Sequence, residues 1–225
     1  MADIGANVAR VRERIAAAAA RSGRRPEDVL LVAVSKTVGP DRIREAVACG
    51  LQTFGENRVQ EAREKVPQVP GVSWHLIGSL QRNKVKEALR LFQVIHSVDS
   101  RVLAEDLSRR ALEDPGRPVE VLLEVNISRE PQKHGVAPEA AAALTAAALA
   151  LPGMRLRGLM GMAPLGAAPE DARPFFRGLR ELRDRLREAA PDAALTDLSM
   201  GMTDDFEVAI EEGSTMVRIG RALFA

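Results

Sequence analysis

A lysine stands directly after an unbroken apolar run: residues 29–34 read Val-Leu-Leu-Val-Ala-Val, and Ser35-Lys36-Thr37 follow. Such a run reads as a strand buried on both faces. The spacing therefore puts the Lys36 stem in apolar surroundings and its amine at the strand end. Desolvation disfavours an ammonium ion and lowers its pKa from ~10.4, leaving more of the free amine that attacks carbonyl groups. A lysine reaching out to solvent from a strand end is the plainer alternative. Two stretches nearer the C-terminus point to different chemistry. One is Ser199-Met200-Gly201-Met202-Thr203-Asp204-Asp205, which leads into a helical pattern; the other is Arg218-Ile219-Gly220-Arg221. Glycines that admit close backbone N–H groups, a serine hydroxyl and a helix N-terminus are the physical means of gripping phosphate. Gly and Ser also punctuate ordinary loops.

What places these residues relative to one another is a regular alternation of strand and helix. Ile4, Val8, Val11 and Ile15 form one stripe of an N-terminal helix that Ser22-Gly23 ends. Strands are expected at 29–34, 52–55, 72–78, 94–98, 119–127, 156–160, 195–200 and 216–220. Helices are expected between them at 41–49, 58–65, 83–91, 102–112, after Pro138, at 170–189 and at 205–212. Parallel strands need such crossovers, and eight of them close into an α/β, (β/α)8 TIM barrel. The reading is a single domain spanning 1–225 with an extra N-terminal helix. An open doubly wound sheet is the competitor, but no Gly-x-Gly-x-x-Gly turn follows the first strand. In this barrel, chemistry sits in the loops after the strand C-termini, and phosphate is commonly held after strands seven and eight. Lys36 and both glycine loops then share one face. An imine-forming amine with a phosphate grip describes a phosphorylated carbonyl compound, either the substrate of a lysine-imine aldolase or pyridoxal phosphate. Spacing alone leaves both open.

Composition narrows the partners. Lys and Arg number 32 against 31 Asp and Glu, a formal charge of +1 that gathers neither nucleic acid nor anionic lipid. The apolar run 140–151 is mostly alanine and stops at Pro152, short of the ~20 residues a membrane span needs. Residues 1–7 lack a secretory pattern, and Cys49 is the one cysteine, so a soluble cytoplasmic protein without disulfides is expected. His75, His96 and His134 are dispersed with no metal-ligating spacing, so no metal site is expected, and His75 reads as a hydrogen-bonded core histidine. Arg173, Arg177, Arg180, Arg183 and Arg187 interleave with Glu181, Asp184 and Glu188 and read as the solvated face of an amphipathic helix.

The motifs are also specific as words. They are Leu31-Val-Ala-Val-Ser-Lys36-Thr37, Phe54-Gly-Glu-Asn57-Arg58-Val-Gln60-Glu61, Trp74-His75-Leu-Ile-Gly78-Ser79-Leu80-Gln81-Arg-Asn83-Lys84, Val125-Asn126-Ile127, Lys133-His-Gly135, Gly158-Leu-Met160, Leu198-Ser199-Met-Gly201-Met202 and Val217-Arg218-Ile219-Gly220. Taken in order, they resemble the pyridoxal phosphate homeostasis protein family, itself similar to the barrel domain of alanine racemase. The resemblance implies that pyridoxal phosphate is held as a Schiff base (an aldimine) on Lys36. It implies that Ser199 and the backbone near Gly201 and Gly220 bind the phosphate, and that Arg218 faces the pyridine nitrogen. Asn57, Met200 and Lys133 would line the pocket. Val38 stands where many relatives have a second lysine, and relatives usually continue past the final strand, where this sequence ends at Ala225.

A positive charge fixed at the ring nitrogen disfavours its protonation and makes the cofactor a poorer electron sink. The racemase pattern needs a tyrosine opposite the lysine, and this chain has none. The expectation is a monomeric cofactor-holding homeostasis protein without established catalysis. An amino-acid racemase-like enzyme is the alternative and the aldolase a third class. Apo-enzymes that use pyridoxal phosphate are the one class of transient protein partner considered.

Overall fold

The computed structural model describes residues 3–113 and 118–225. Helix α1 spans Ile4–Arg21, capped by the Asp3 carboxylate, which accepts from the Ala6 N–H; its Ile4, Val8, Val11 and Ile15 are buried. Strand and helix then alternate as β1 (Leu30–Val34), α2 (Pro40–Ala48), β2 (Thr53–Glu56), α3 (Val59–Lys65), β3 (Ser73–Leu76), α4 (Val85–Leu91), β4 (Val94–Val98) and α5 (Arg101–Glu113). The second half continues as β5 (Val119–Val125), α6 (Ala141–Leu149), β6 (Met154–Gly161), α7 (Pro169–Ala189), β7 (Asp197–Ser199), α8 (Phe206–Glu211), β8 (Met216–Ile219) and α9 (Arg221–Phe224).

The eight strands form a closed barrel in chain order. It is sealed where Leu30–Ala33 of β1 run parallel to Met216–Ile219 of β8. This is the expected (β/α)8 architecture. Alternation along each strand divides the apolar residues into two sets. Val32, Leu122, Met160 and Met216 pack together on the barrel axis. Phe54, Trp74, Leu76, Leu123, Leu198 and Ile219 belong to the larger core under the helices. There the Phe54 and Trp74 rings lie 5.5 Å apart and tilted by 37°, a contact worth about 0.5–1.5 kcal/mol beyond its buried area.

Several element bounds differ from the sequence reading by one to three residues, and two of the differences have a visible cause. Strand β3 stops at Leu76 because the chain must cross the preceding loop: a Cβ on Gly78 would sit 2.3 Å from the Asn57 carbonyl oxygen. Strand β5 stops at Val125 because Asn126 N–H donates to Val136, within the loop that follows. Helix α9 was not expected, since four residues carry no periodic signal. The arginine row of α7 also departs from a solvated face. Arg173, Arg177 and Arg180 reach the carboxylate of Glu212, 4% exposed, at 3.3, 3.0 and 3.0 Å, and so tie α7 to the end of α8. Among the described residues no helix is long and apolar enough to cross a membrane.

Candidate functional site

Strand β1 hands Lys36 to the barrel mouth through a tight turn. The Val38 N–H donates to the Ser35 carbonyl at 2.9 Å, leaving Lys36 and Thr37 at the turn's centre. The turn is anchored from behind. The Lys65 ammonium, at the end of α3, donates to the Ser35 carbonyl (2.7 Å), the Lys36 carbonyl (3.3 Å) and Glu56 Oε1 (2.9 Å). Ser35 Oγ donates to the same Glu56 oxygen at 2.7 Å. Glu56 is fully buried, and burial pushes its pKa up against the opposing pull of Ser35 and Lys65. The desolvation expected at Lys36 is corrected here. Its side chain is exposed, because the turn swings it out of the apolar run. With Val34, Gly220, Arg221 and Phe224 it lines a cavity of about 320 Å³, at the low end of ligand-pocket volumes, ~300–1,000 Å³.

Below the mouth, the barrel interior also holds buried polar side chains beside the apolar cluster on the axis. Arg218, 5% exposed, donates through Nη1 to Ser199 Oγ (2.7 Å) and through Nη2 to the Gly161 carbonyl (3.1 Å). Ser199 Oγ lies 2.9 Å from His96 Nδ1, and His96 Nε2 lies 2.9 Å from His75 Nδ1. Both imidazoles are kept neutral. Burial drives His75 down to about 4, and burial with neighbouring His75 and Arg218 drives His96 well below its ordinary value. Burial also lowers Arg218 to about 10, opposed by Glu124 and Asp205. Glu124 of β5, 3% exposed, is pushed up to about 7 by burial and then by Asp99, against His134 and Arg218.

The remaining site candidates fall into place by strand parity. Ser199 points inward on β7, so Met200 points outward, fully buried in the core under the helices; the expectation that its side chain lines the pocket is corrected. Gly201, at φ 93°, turns the chain toward α8, where a Cβ would stand 2.6 Å from that of Ala209. Its carbonyl accepts from Arg218 N–H at 3.0 Å, which joins the loop after β7 to β8. Gly220 lines the Lys36 cavity, and a Cβ there would meet the Val34 carbonyl at 3.2 Å. Asn57 is half-buried at the end of β2, its backbone covered by Gly78. Lys133 donates to the Ala163 carbonyl at 2.8 Å and pairs with Glu130, on the far loops after β5 and β6. Sequence reasoning missed His96 and Glu124 as members of the interior. The signal was their inward parity with His75 and Leu122, which needs the strand registers to read.

The sequence matches the family described as alanine racemase, N-terminal domain, over residues 6–225. It is 47% identical over 219 residues to the pyridoxal phosphate homeostasis protein of Aquifex aeolicus, covering 96% of this chain and 95% of that one. The chain belongs to the pyridoxal phosphate homeostasis protein family. Another protein similar to it, PipY of Synechococcus elongatus PCC7942 in a structure with pyridoxal phosphate bound, superposes with a TM-score of 0.87 at 38% identity, covering 99% of this chain and 100% of PipY. The alanine racemase of Corynebacterium glutamicum shares the barrel alone: TM-score 0.73 at 15% identity, over 98% of this chain and 60% of the racemase. For a homeostasis-family chain, the arrangement offers an exposed amine and a glycine-lined cavity at the mouth. A buried guanidinium stands on a neutral hydrogen-bonded base beneath.

Proposed function

We propose that this chain binds pyridoxal 5'-phosphate at the barrel mouth and takes part in its intracellular homeostasis as a holder rather than a catalyst. Lys36 supplies the amine that condenses with the cofactor aldehyde, releasing water and forming an imine. The observation that carries the reading is that Lys36 and Gly220, remote in sequence, line one cavity of about 320 Å³. The phosphate lies toward the Gly201 and Gly220 loops and the ring nitrogen toward Arg218, with Asn57 at the rim. Ser199 needs a different role from the one first expected. Its Oγ already contacts Arg218 and His96, so it supports Arg218 and leaves Thr203, half-buried in the same loop, as the hydroxyl for the phosphate. The family name of the relatives and the cofactor in PipY support the same ligand.

Two features favour holding over turnover. Arg218 remains cationic at neutral pH, which keeps the ring nitrogen unprotonated and weakens electron withdrawal. No tyrosine exists in the chain to act as a second base. One observation favours the racemase-like alternative: Glu124, near 7, has the acidity of a group that exchanges protons at neutral pH.

Purified protein incubated with pyridoxal phosphate should turn yellow, and borohydride should fix the cofactor to Lys36, located by mass spectrometry. Lys36→Ala should remain colourless. A fixed adduct elsewhere with Lys36 unmodified overturns the assignment. Rapid inversion of L- or D-amino acids overturns the holder reading and leaves the binding site intact. The same reading has the protein as a cytoplasmic monomer, which sedimentation checks.

A further inference from the structure

Among the four interior side chains, one arrangement of protons matches every contact with a donor and an acceptor and also gives the Ser199 hydroxyl proton an acceptor. A guanidinium donates and never accepts, so Arg218 gives its hydrogen to Ser199 Oγ across 2.7 Å. Among the described residues, Ser199 Oγ has one other partner, His96 Nδ1 at 2.9 Å. The hydroxyl proton must go there, because a buried O–H with no acceptor loses the water it had and gains nothing in return. His96 Nδ1 is therefore an acceptor, and the ring carries its single proton on Nε2. That proton points to His75 Nδ1, 2.9 Å away, so His75 is also an Nε2–H tautomer. Ser199 and His96 have no exposure, and His75 and Arg218 are 4% and 5% exposed, so the contacts between the four are shielded from bulk water.

We propose, on the reading that Arg218 faces the cofactor ring, that His96 and His75 are positioning residues for that arginine, holding it through Ser199 by hydrogen bonds that all run one way. Each donor polarises the next: with its proton committed to His96, Ser199 turns its lone pairs to the guanidinium. The Gly161 carbonyl takes a second N–H at 3.1 Å, and the two acceptors fix the guanidinium plane. Neither histidine touches the cofactor. The low pKa of both rings keeps the chain in this state at neutral pH.

Two measurements test this. Protein labelled with 15N at histidine has three signals sets to resolve, and His134→Gln identifies the one outside the chain. Long-range proton–nitrogen correlations at pH 7 should report His75 and His96 as neutral rings protonated on Nε2. A proton on Nδ1 of either ring, or an imidazolium, overturns the assignment. The second measurement is pyridoxal phosphate titration followed by absorbance. His96→Asn keeps an acceptor oxygen where Nδ1 stands, whereas His96→Leu removes it. The leucine variant should bind on the order of tenfold more weakly and move the absorption band of the bound cofactor, while asparagine restores both. An unmoved band in His96→Leu refutes the positioning role. If that variant does not fold, Ser199→Ala carries the same expectation and the same refutation. Should the unmodified protein take up no cofactor at all, the proposed function fails, and the histidine tautomers still decide the proton arrangement.

Discussion

The Nζ of Lys65 lies 2.7 Å from the carbonyl oxygen of Ser35, so a buried lysine on α3 grips the backbone one residue before Lys36. The same ammonium neutralises Glu56, which has no exposure of its own. Removing one partner of a buried ion pair strands the other charge and typically costs ~3–5 kcal/mol. Lys65→Met should lose about that much in urea unfolding. Lys65→Met with Glu56→Gln should recover part of it, because the stranded carboxylate is gone. Both should bind pyridoxal phosphate more weakly than the unmodified protein, since the turn presenting Lys36 loses its anchor.

Glu124 gives a stability term that falls as pH rises. Its carboxyl has a pKa near 7 in the fold and an ordinary value of 4.5 when unfolded. Between those values the folded state keeps a proton that the unfolded state has released, so folding grows less favourable from about pH 4.5 to pH 7. The shift corresponds to about 3 kcal/mol. Glu124→Gln should therefore raise the urea midpoint of cofactor-free protein at pH 8 and leave it nearly unchanged at pH 4.5. An equal gain at both pH values would contradict the assignment.

His75 acts in the opposite direction. Its pKa is about 4 when folded against 6.5 when unfolded. Below pH 6.5 the unfolded chain takes up a proton that the fold refuses, so the contribution is complete above 6.5 and disappears toward 4. His96 shifts the same way. In the unmodified protein Glu124 masks part of this slope. Urea midpoints of Glu124→Gln measured from pH 7 to pH 5 should fall more steeply than those of the unmodified protein.

Gly78 should tolerate no side chain. A Cβ there meets the backbone of Asn57 at 2.3 Å, and backbone cannot swing aside as a side-chain tip does. Gly78→Ala should destabilise the fold by roughly 1–3 kcal/mol and displace the loop carrying Asn57. Unchanged thermal unfolding would show that the two loops separate freely.

The barrel was legible because every strand and crossover carried its own local signal: the unbroken run before Lys36, the stripe of Ile4, Val8, Val11 and Ile15, and the glycine loops after strands seven and eight. The amine and the glycines were legible for the same reason, as chemistry placed at strand ends. What lay beyond reach depends on register between distant strands. His75 and His96 are 21 residues apart and looked dispersed, yet β3 and β4 pair so that both rings meet on the axis. Ser199 was read by type as a phosphate ligand, and only its inward position beside Arg218 reveals a prior engagement. Lys36 was expected to be desolvated because it follows a buried strand; that strand does end at Val34, and the turn at Ser35–Val38 then exposes the side chain.

Closure of β1 against β8 has a consequence for synthesis. Lys36 leaves the ribosome long before the strand that completes the sheet beside it, with Arg218 and Gly220. On the proposed function, a growing chain has the amine of Lys36 long before it has a cavity, a guanidinium or a sealed wall. Any aldehyde it captures in that interval is held by the imine bond alone, and water can reverse it.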